Sequence, residues 1–150
     1  MTDSHFCFLT QIKMESTIHI STDKSLIDVN TVYDFLSVQS YWAKGRSMDT
    51  IQRTIENSLC FGIYMDGKQV GFARVVTDYA VFAWIMDVFI DPNYRGKGLG
   101  KKLIEAITTH KDLQTLYRWG LTTTDAHGLY QQFGFKPLSM PYKMMEILKD

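Results

Sequence analysis

The residues able to do chemistry gather between Asp87 and Lys101, a stretch reading Asp-Val-Phe-Ile-Asp-Pro-Asn-Tyr-Arg-Gly-Lys-Gly-Leu-Gly-Lys. Gly96, Gly98 and Gly100 lack a Cβ, so the main chain can bend sharply and a ligand can approach it closely. Arg95, Lys97, Lys101 and Lys102 put positive charge in the same place. A helix opening here would add unpaired N–H groups and the positive end of its dipole. Together these features predict a phosphate cradle, of the kind a pyrophosphate-bearing cofactor needs. Asp87 stands inside an otherwise apolar run, where burying an unpaired acid is costly. It can act as a base, hold a cationic group of a ligand, or pair with a cation such as Arg74. Cys60 lies in an apolar run and reads as a small buried residue. Cys7 is too far from it in sequence to suggest a disulfide framework, and the four histidines lack metal-ligand spacing, so no metal is expected.

Positioning these residues falls to a series of strands and helices. Thr17 to Ser21 alternates as a first strand. Asp23 or Ser25 then caps a helix with apolar positions at Leu26, Val29, Val32, Tyr33 and Leu36. A loop from Gln39 to Arg46 carries Tyr41 and Trp42, and Ser47 caps a second helix ending near Asn57. That aromatic loop is either a wall of a substrate pocket, which Arg46, Phe72 and Arg74 could also line, or simply a cover for the core. Leu59 to Met65 and Gln69 to Thr77 form a hairpin around Asp66-Gly67, because a type I′ turn needs positive φ at both positions. Val81 to Ile90 is the third strand of this meander. A helix from about Gly98 to His110 follows the glycine loop. Leu116 to Thr122 is then reached through a helix, which favours parallel pairing with Val81–Ile90. Asp125 caps a helix from Ala126 to Phe133, and Gly134 ends it. Strand pattern resumes at Phe135, is interrupted by Pro137 and Pro141, and returns over Tyr142 to Ile147. The result is one α+β domain over residues 16–150, with residues 1–15 as an extension.

A chain of 150 residues holds a single core. Sixteen basic residues balance sixteen acidic ones, so no global field favours nucleic acid or an anionic membrane. With neither a membrane-spanning stretch nor a signal-peptide pattern, a cytoplasmic protein is expected.

Three phosphate-binding motifs compete for the loop. The dinucleotide fingerprint requires G-x-G-x-x-G, and Gly96-Lys-Gly98-Leu-Gly100 is one residue short of it. A Walker A loop needs four residues between its glycines and a hydroxyl after the lysine, where Lys102 stands. The pattern Arg/Gln-x-x-Gly-x-Gly/Ala, opening a helix after a strand, fits Arg95, Gly98 and Gly100. That pattern resembles the acetyl-CoA signature of the GCN5-related N-acetyltransferase (GNAT) superfamily. The segment Asp125-Ala-His-Gly-Leu-Tyr-Gln-Gln-Phe-Gly-Phe135 looks like the C-terminal motif of the same family. The resemblance covers about residues 17 to 147, in the manner of a small single-domain bacterial-type member.

The resemblance implies a mixed, mostly antiparallel sheet flanked by about four helices, with two central parallel strands that splay apart. It implies acetyl-CoA as acyl donor. Main-chain groups from Gly96 through Leu99 and Gly100 to Lys101, with Arg95, would hold the pyrophosphate. Val88, Phe89 and Ile90 would hold the pantetheine arm, and an N–H of Val88 or Phe89 would polarise the thioester carbonyl. Tyr130 would give a proton to the departing thiolate, and Asp87 is the best candidate for taking one from the amine. Where relatives carry a glutamate nearer the middle of that strand, this chain has Trp84, a departure that bears on any single-base mechanism. The acceptor would be a primary amine of a small molecule, attacked directly in a ternary complex. Tyr41, Trp42 and Arg74 are the substrate-binding candidates, and a homodimer is possible by analogy. Two other readings compete: a non-catalytic acyl-CoA-binding or sensor module on the same fold, and a nucleotide- or nucleic-acid-binding protein resting on the basic loop alone.

Overall fold

Alternating and continuous apolar runs between residues 17 and 121 assemble into one sheet, seen in a computed structural model that describes residues 14–149. Its five strands lie in chain order: β1 (Ile18–Ser21), β2 (Leu59–Met65), β3 (Lys68–Thr77), β4 (Phe82–Ile90) and β5 (Arg118–Gly120). The first four are antiparallel neighbours, and β5 runs parallel to β4. Asp66 and Gly67 both take positive φ, at 49° and 82°, as the β2–β3 hairpin requires. The extension expected over residues 1–15 lies outside the described residues, apart from exposed Met14 and Glu15.

Helices cover both faces. On one side α3 (Leu99–Thr108) buries Leu99, Leu103, Ile104 and Ile107 against Phe61, Ile63, Val75 and Ile85. These positions recur every three or four residues, which puts them on one face of the helix. On the other side α1 (Val29–Tyr33) and α2 (Met48–Glu56) bury Val32, Ile51 and Ile55 with Phe35, Phe72 and Phe89. The last helix, α4 (His127–Gln131), contributes Tyr130 to the α3 side.

The first helix begins later than its sequence pattern predicts. Asp23 caps only a 3-10 turn over Lys24–Leu26, and the chain straightens at Ile27. Asp28 then caps α1, its carboxylate accepting from Thr31 N at 3.2 Å. Beyond Tyr33 the helix widens into a π segment, Asp34–Gln39. Ser47 does cap α2, accepting from Thr50 N at 3.1 Å. Asp125 does not cap α4: that helix is shorter than expected, its cap position falls at Ala126, and Thr123 Oγ1 accepts from Ala126 N at 3.0 Å.

No strand forms after β5 among the described residues, which corrects the expectation for Phe135 and for Tyr142–Ile147. Pro137 removes a ladder donor, and Pro141 opens a 3-10 turn over Pro141–Lys143. The residues that follow find no strand partner among the described residues: Met145 is 94% and Leu148 82% exposed.

A candidate acetyl-transfer cleft

Two irregularities of the sheet open the site. The parallel pairing of β4 and β5 extends only from Phe82–Arg118 to Trp84–Gly120, after which the strands part. The Trp84 ring lies over Gly120 so closely that a Cβ there would overlap it. Ile85 to Ile90 therefore have no strand beside them on that edge. The second irregularity is a bulge: Phe72 pairs with Phe89 but Arg74 with Met86, which leaves one extra residue on β4. Asp87 absorbs it with φ 54°, a left-handed conformation costing about 1 kcal/mol or more outside glycine. The extra residue exchanges the faces of the strand. Ile85 points to the α3 core, whereas Phe89 points to the opposite core and stacks on Phe35 with centroids 4.0 Å apart.

Asp87 is held in place by charge. Its carboxylate accepts from Arg74 Nε at 2.6 Å, Arg46 Nη1 at 2.8 Å and Trp42 Nε1 at 3.2 Å. The Asp87 side chain is only 1% exposed, so these partners are what makes its burial tolerable. Arg74 continues to Ser58 Oγ at 3.2 Å and is itself buried. Of the roles open to Asp87, the ion pair with Arg74 is the one observed, with Arg46 and Trp42 added to it.

Arg46 and Trp42 reach Asp87 because the π segment ties down their loop. Ser37 Oγ donates to Arg46 O at 2.7 Å, and Ser40 Oγ donates to Leu36 O at 2.6 Å while accepting from Ala43 N at 3.1 Å. Gly45, at φ 83°, donates its N–H to Ser37 O at 2.9 Å. Both serines are buried, so each hydroxyl fixes the loop rather than exchanging with water.

These elements enclose a cleft of about 320 Å³ between the bulged half of β4 and the chain leaving β5. Tyr41, Trp42 and Arg46 line it from the α1–α2 loop, Ile85 to Val88 from β4, and Thr122 to Ala126 with Tyr130 from the segment after β5. Arg74 and Phe72 do not line it: Arg74 is spent on Asp87 and Ser58, and Phe72 is fully buried between the sheet and α1–α2. Tyr41 and Trp42 meet edge to face at 5.0 Å and remain largely exposed, so they offer open aromatic surface. Arg46 enters the lining in place of Arg74. Thr122, Thr123 and Thr124 were not singled out in the sequence. Their signal is positional, a hydroxyl run just beyond the carboxyl end of a parallel strand, where α/β crevices form.

Tyr130 is buried at the cleft wall, and burial, with Asp125 and Tyr41 adding to it, pushes its phenol up to about 12. It therefore stays protonated at neutral pH. His127 is exposed and does not line the cleft. Cys60 is wholly buried, its Sγ 3.4 Å from Ile55 O, and burial raises its thiol to about 11. A thiol in that state is no nucleophile.

The glycine loop lies at the other end of β4. Asp91 turns the chain by accepting from Asn93 N at 2.9 Å, and Arg95 Nε donates to Ile90 O at 3.1 Å, so Arg95 shapes the loop. Gly96 and Gly98 take φ 77° and 72°, with nothing near the position of a Cβ on either. Gly98 caps α3 without a side chain, and the first loop-to-helix bond is donated by Lys102 N to Gly98 O at 3.1 Å. The N–H groups from Gly96 to Lys101 donate to no backbone carbonyl among the described residues. Main-chain donors left free at the start of α3 fit a pyrophosphate, and the unpaired edge of β4 fits an amide-bearing arm. Among the described residues no group of three or more His, Cys, Asp or Glu could hold a metal ion, and no helix is long and apolar enough to cross a membrane.

Comparison with known proteins agrees with this geometry. A family model described as an acetyltransferase (GNAT) domain matches residues 56–137. A Gibberella zeae protein named as an acetyltransferase is 30% identical over 133 residues, 74% of each chain. A Bacillus subtilis spermine/spermidine N(1)-acetyltransferase is 36% identical over 93 residues, half of this chain and 57% of that protein. A Xanthomonas campestris pv. campestris crystal structure, named as belonging to the GNAT family, is 47% identical with a TM-score of 0.86. The match covers 89% of this chain and 94% of that one. A Clostridium acetobutylicum structure containing acetyl-CoA shares the fold at 12% identity, with a TM-score of 0.65 over 89% of this chain and 96% of that one. The chain belongs to the GNAT family and is an N-acetyltransferase.

Proposed function

We propose that the protein transfers an acetyl group from acetyl-CoA to a primary amine of a small molecule, by direct attack in a ternary complex. The observation that supports this most is the alignment along β4: free loop donors at one end, an unpaired strand edge, and a buried tyrosine across the cleft. Gly96 to Lys101 are the main-chain groups to hold the pyrophosphate, and Val88, Phe89 and Ile90 those to hold the pantetheine arm. Bound there, acetyl-CoA supplies an activated acyl group. The bulge at Asp87 turns the following peptide out of the ladder, which makes Val88 N–H or Phe89 N–H the donor for a developing oxyanion. Tyr130 keeps a proton ready for the leaving sulfur, because its phenol lies well above a thiol near ~8.5.

Asp87 acts by holding Arg46 and Trp42 rather than by accepting a proton, since its carboxylate already takes three hydrogen bonds. The amine then loses its proton to solvent at the cleft mouth, and the rate rises with pH toward the amine's own pKa. Polyamines, the acceptors named for the Bacillus relative, are one class to test. The aromatic wall and modest cleft favour a small acceptor over nucleic acid or a membrane. A homodimer is supported by the exposure of the apolar C-terminal residues Met145, Ile147 and Leu148 among the described residues.

Thiol release from acetyl-CoA in the presence of a panel of amines tests the activity. Amine-dependent release is expected. Acetyl-CoA binding with no release for any amine would instead favour a sensor module.

A further inference from the structure

The cleft's charge says what kind of amine it takes, given that it is an acetyltransferase site. A polyamine pocket needs several carboxylates left free to meet several ammonium groups. Asp87 is not free: two guanidiniums and an indole N–H share its two oxygens. The Asp87 cluster therefore carries a net positive charge, one acid against two arginines. Arg74 is fully engaged, 8% exposed and bonded at both Nε and Nη1. Arg46 is not. Its side chain is 24% exposed in the cleft wall, and only Nη1 bonds to a partner among the described residues. Its Nε–H and second amino group form the fork that matches the two oxygens of a carboxylate. Asp87 anchors the guanidinium from one side, so a ligand meets an immobilised fork and little side-chain entropy remains to be lost. The cleft's other acid, Asp125, lines it near Tyr130 and is exposed. One free guanidinium face and one separate exposed carboxylate in the same cleft suit a ligand that carries both an ammonium and a carboxylate.

We infer that the acceptor is an amino-acid-like amine whose carboxylate docks on Arg46, with its apolar part against Tyr41 and Trp42. The inference rests on the acetyltransferase reading but can fail separately from it.

The test compares matched pairs: phenylalanine with phenethylamine, leucine with isopentylamine, and spermidine as a polycation. O-Phosphoethanolamine separates a carboxylate from a phosphate. The expected result is ~10-fold or greater preference in kcat/KM for the carboxylate member of each pair, expressed mainly in KM. Arg46→Gln should bring the pairs within about threefold of one another, and Arg46→Lys, which keeps the charge beside Asp87 but not the fork, should give an intermediate preference. Calorimetric titration of the same pairs into protein saturated with CoA reads the preference without turnover. Selective carboxylate binding without thiol release would sustain the inference and count against the transferase reading. Equal binding of each pair, or preference for phosphoethanolamine or spermidine, would overturn the inference and leave the transferase reading standing.

Discussion

At the scale of single residues, Tyr130 is proposed as the proton donor and Asp87 as a positioning residue. Tyr130→Phe keeps the ring that packs at 6.0 Å against Phe135 and removes only the hydroxyl. It is expected to lower kcat by ~100-fold while leaving acetyl-CoA affinity within twofold, as rapid-quench and binding measurements would show. Asp87→Asn leaves two guanidiniums facing a neutral group. Loss of about 3 kcal/mol or more of stability is expected, read as a lower urea midpoint. An acid limb in the pH–rate profile that disappears in Asp87→Asn would instead make Asp87 the base. The raised groups set the alkaline limit. Cys60 and Tyr130 titrate in the folded protein near 11 and 12, above their ordinary values. The folded state therefore holds these protons more tightly than the unfolded one. Their contribution to stability is whole below about pH 9, and it falls as pH rises through 11 and 12. Urea midpoints at pH 8 and pH 10.5 should differ in that direction, and less so in Cys60→Ala.

At the scale of elements, the glycines separate ligand approach from packing. Gly98 has φ 72° with open space around it, so Gly98→Ala costs about 1 kcal/mol of backbone strain rather than a clash. Acetyl-CoA affinity should weaken with it, because the loop's donors turn away. Gly100 is different. A methyl there would meet Leu129 and Ile90 at 3.8 and 3.9 Å, ordinary contact distances, and α3 gains helix propensity. Gly100→Ala should therefore be neutral or stabilising in a thermal melt. Gly120→Ala would push into the Trp84 ring where β4 and β5 part, and about 1–3 kcal/mol of destabilisation is expected. The hairpin, the cap of α2 and the glycine loop were legible because their causes are local, a turn pair or a capping hydroxyl within three residues. The bulge was not legible. Asp87 takes a left-handed conformation because Arg46 and Arg74, 41 and 13 residues away, fix its carboxylate, and no local pattern encodes that. The late start of α1 escaped for a related reason: Asp23 and Asp28 are both competent caps, and the break at Ile27 lies between them.

For the whole molecule, the α+β class, the meander and the parallel crossover could all be read from periodicity and connection length. The C-terminal strands could not, because a strand exists only beside another. Tyr142 to Ile147 has strand pattern, but among the described residues nothing pairs with it, and Met145, Ile147 and Leu148 are exposed. Among the described residues the outer edge of β5 is also unpaired, since β5 ends the sheet. Two copies exchanging their C-terminal segments would satisfy both. Light scattering behind size exclusion should give a dimer for residues 1–150 and a monomer after removal of residues 142–150. A monomeric full chain would contradict the exchange.

The loop from Gly96 to Lys101 and the open edge of β4 are proposed to form one acetyl-CoA site. Isothermal titration of acetyl-CoA into micromolar protein decides whether they do. One site per chain with a dissociation constant in the micromolar range is expected, weakened by Gly98→Ala and undisturbed by Tyr130→Phe. Absence of binding, or binding equally displaced by ATP, would contradict it.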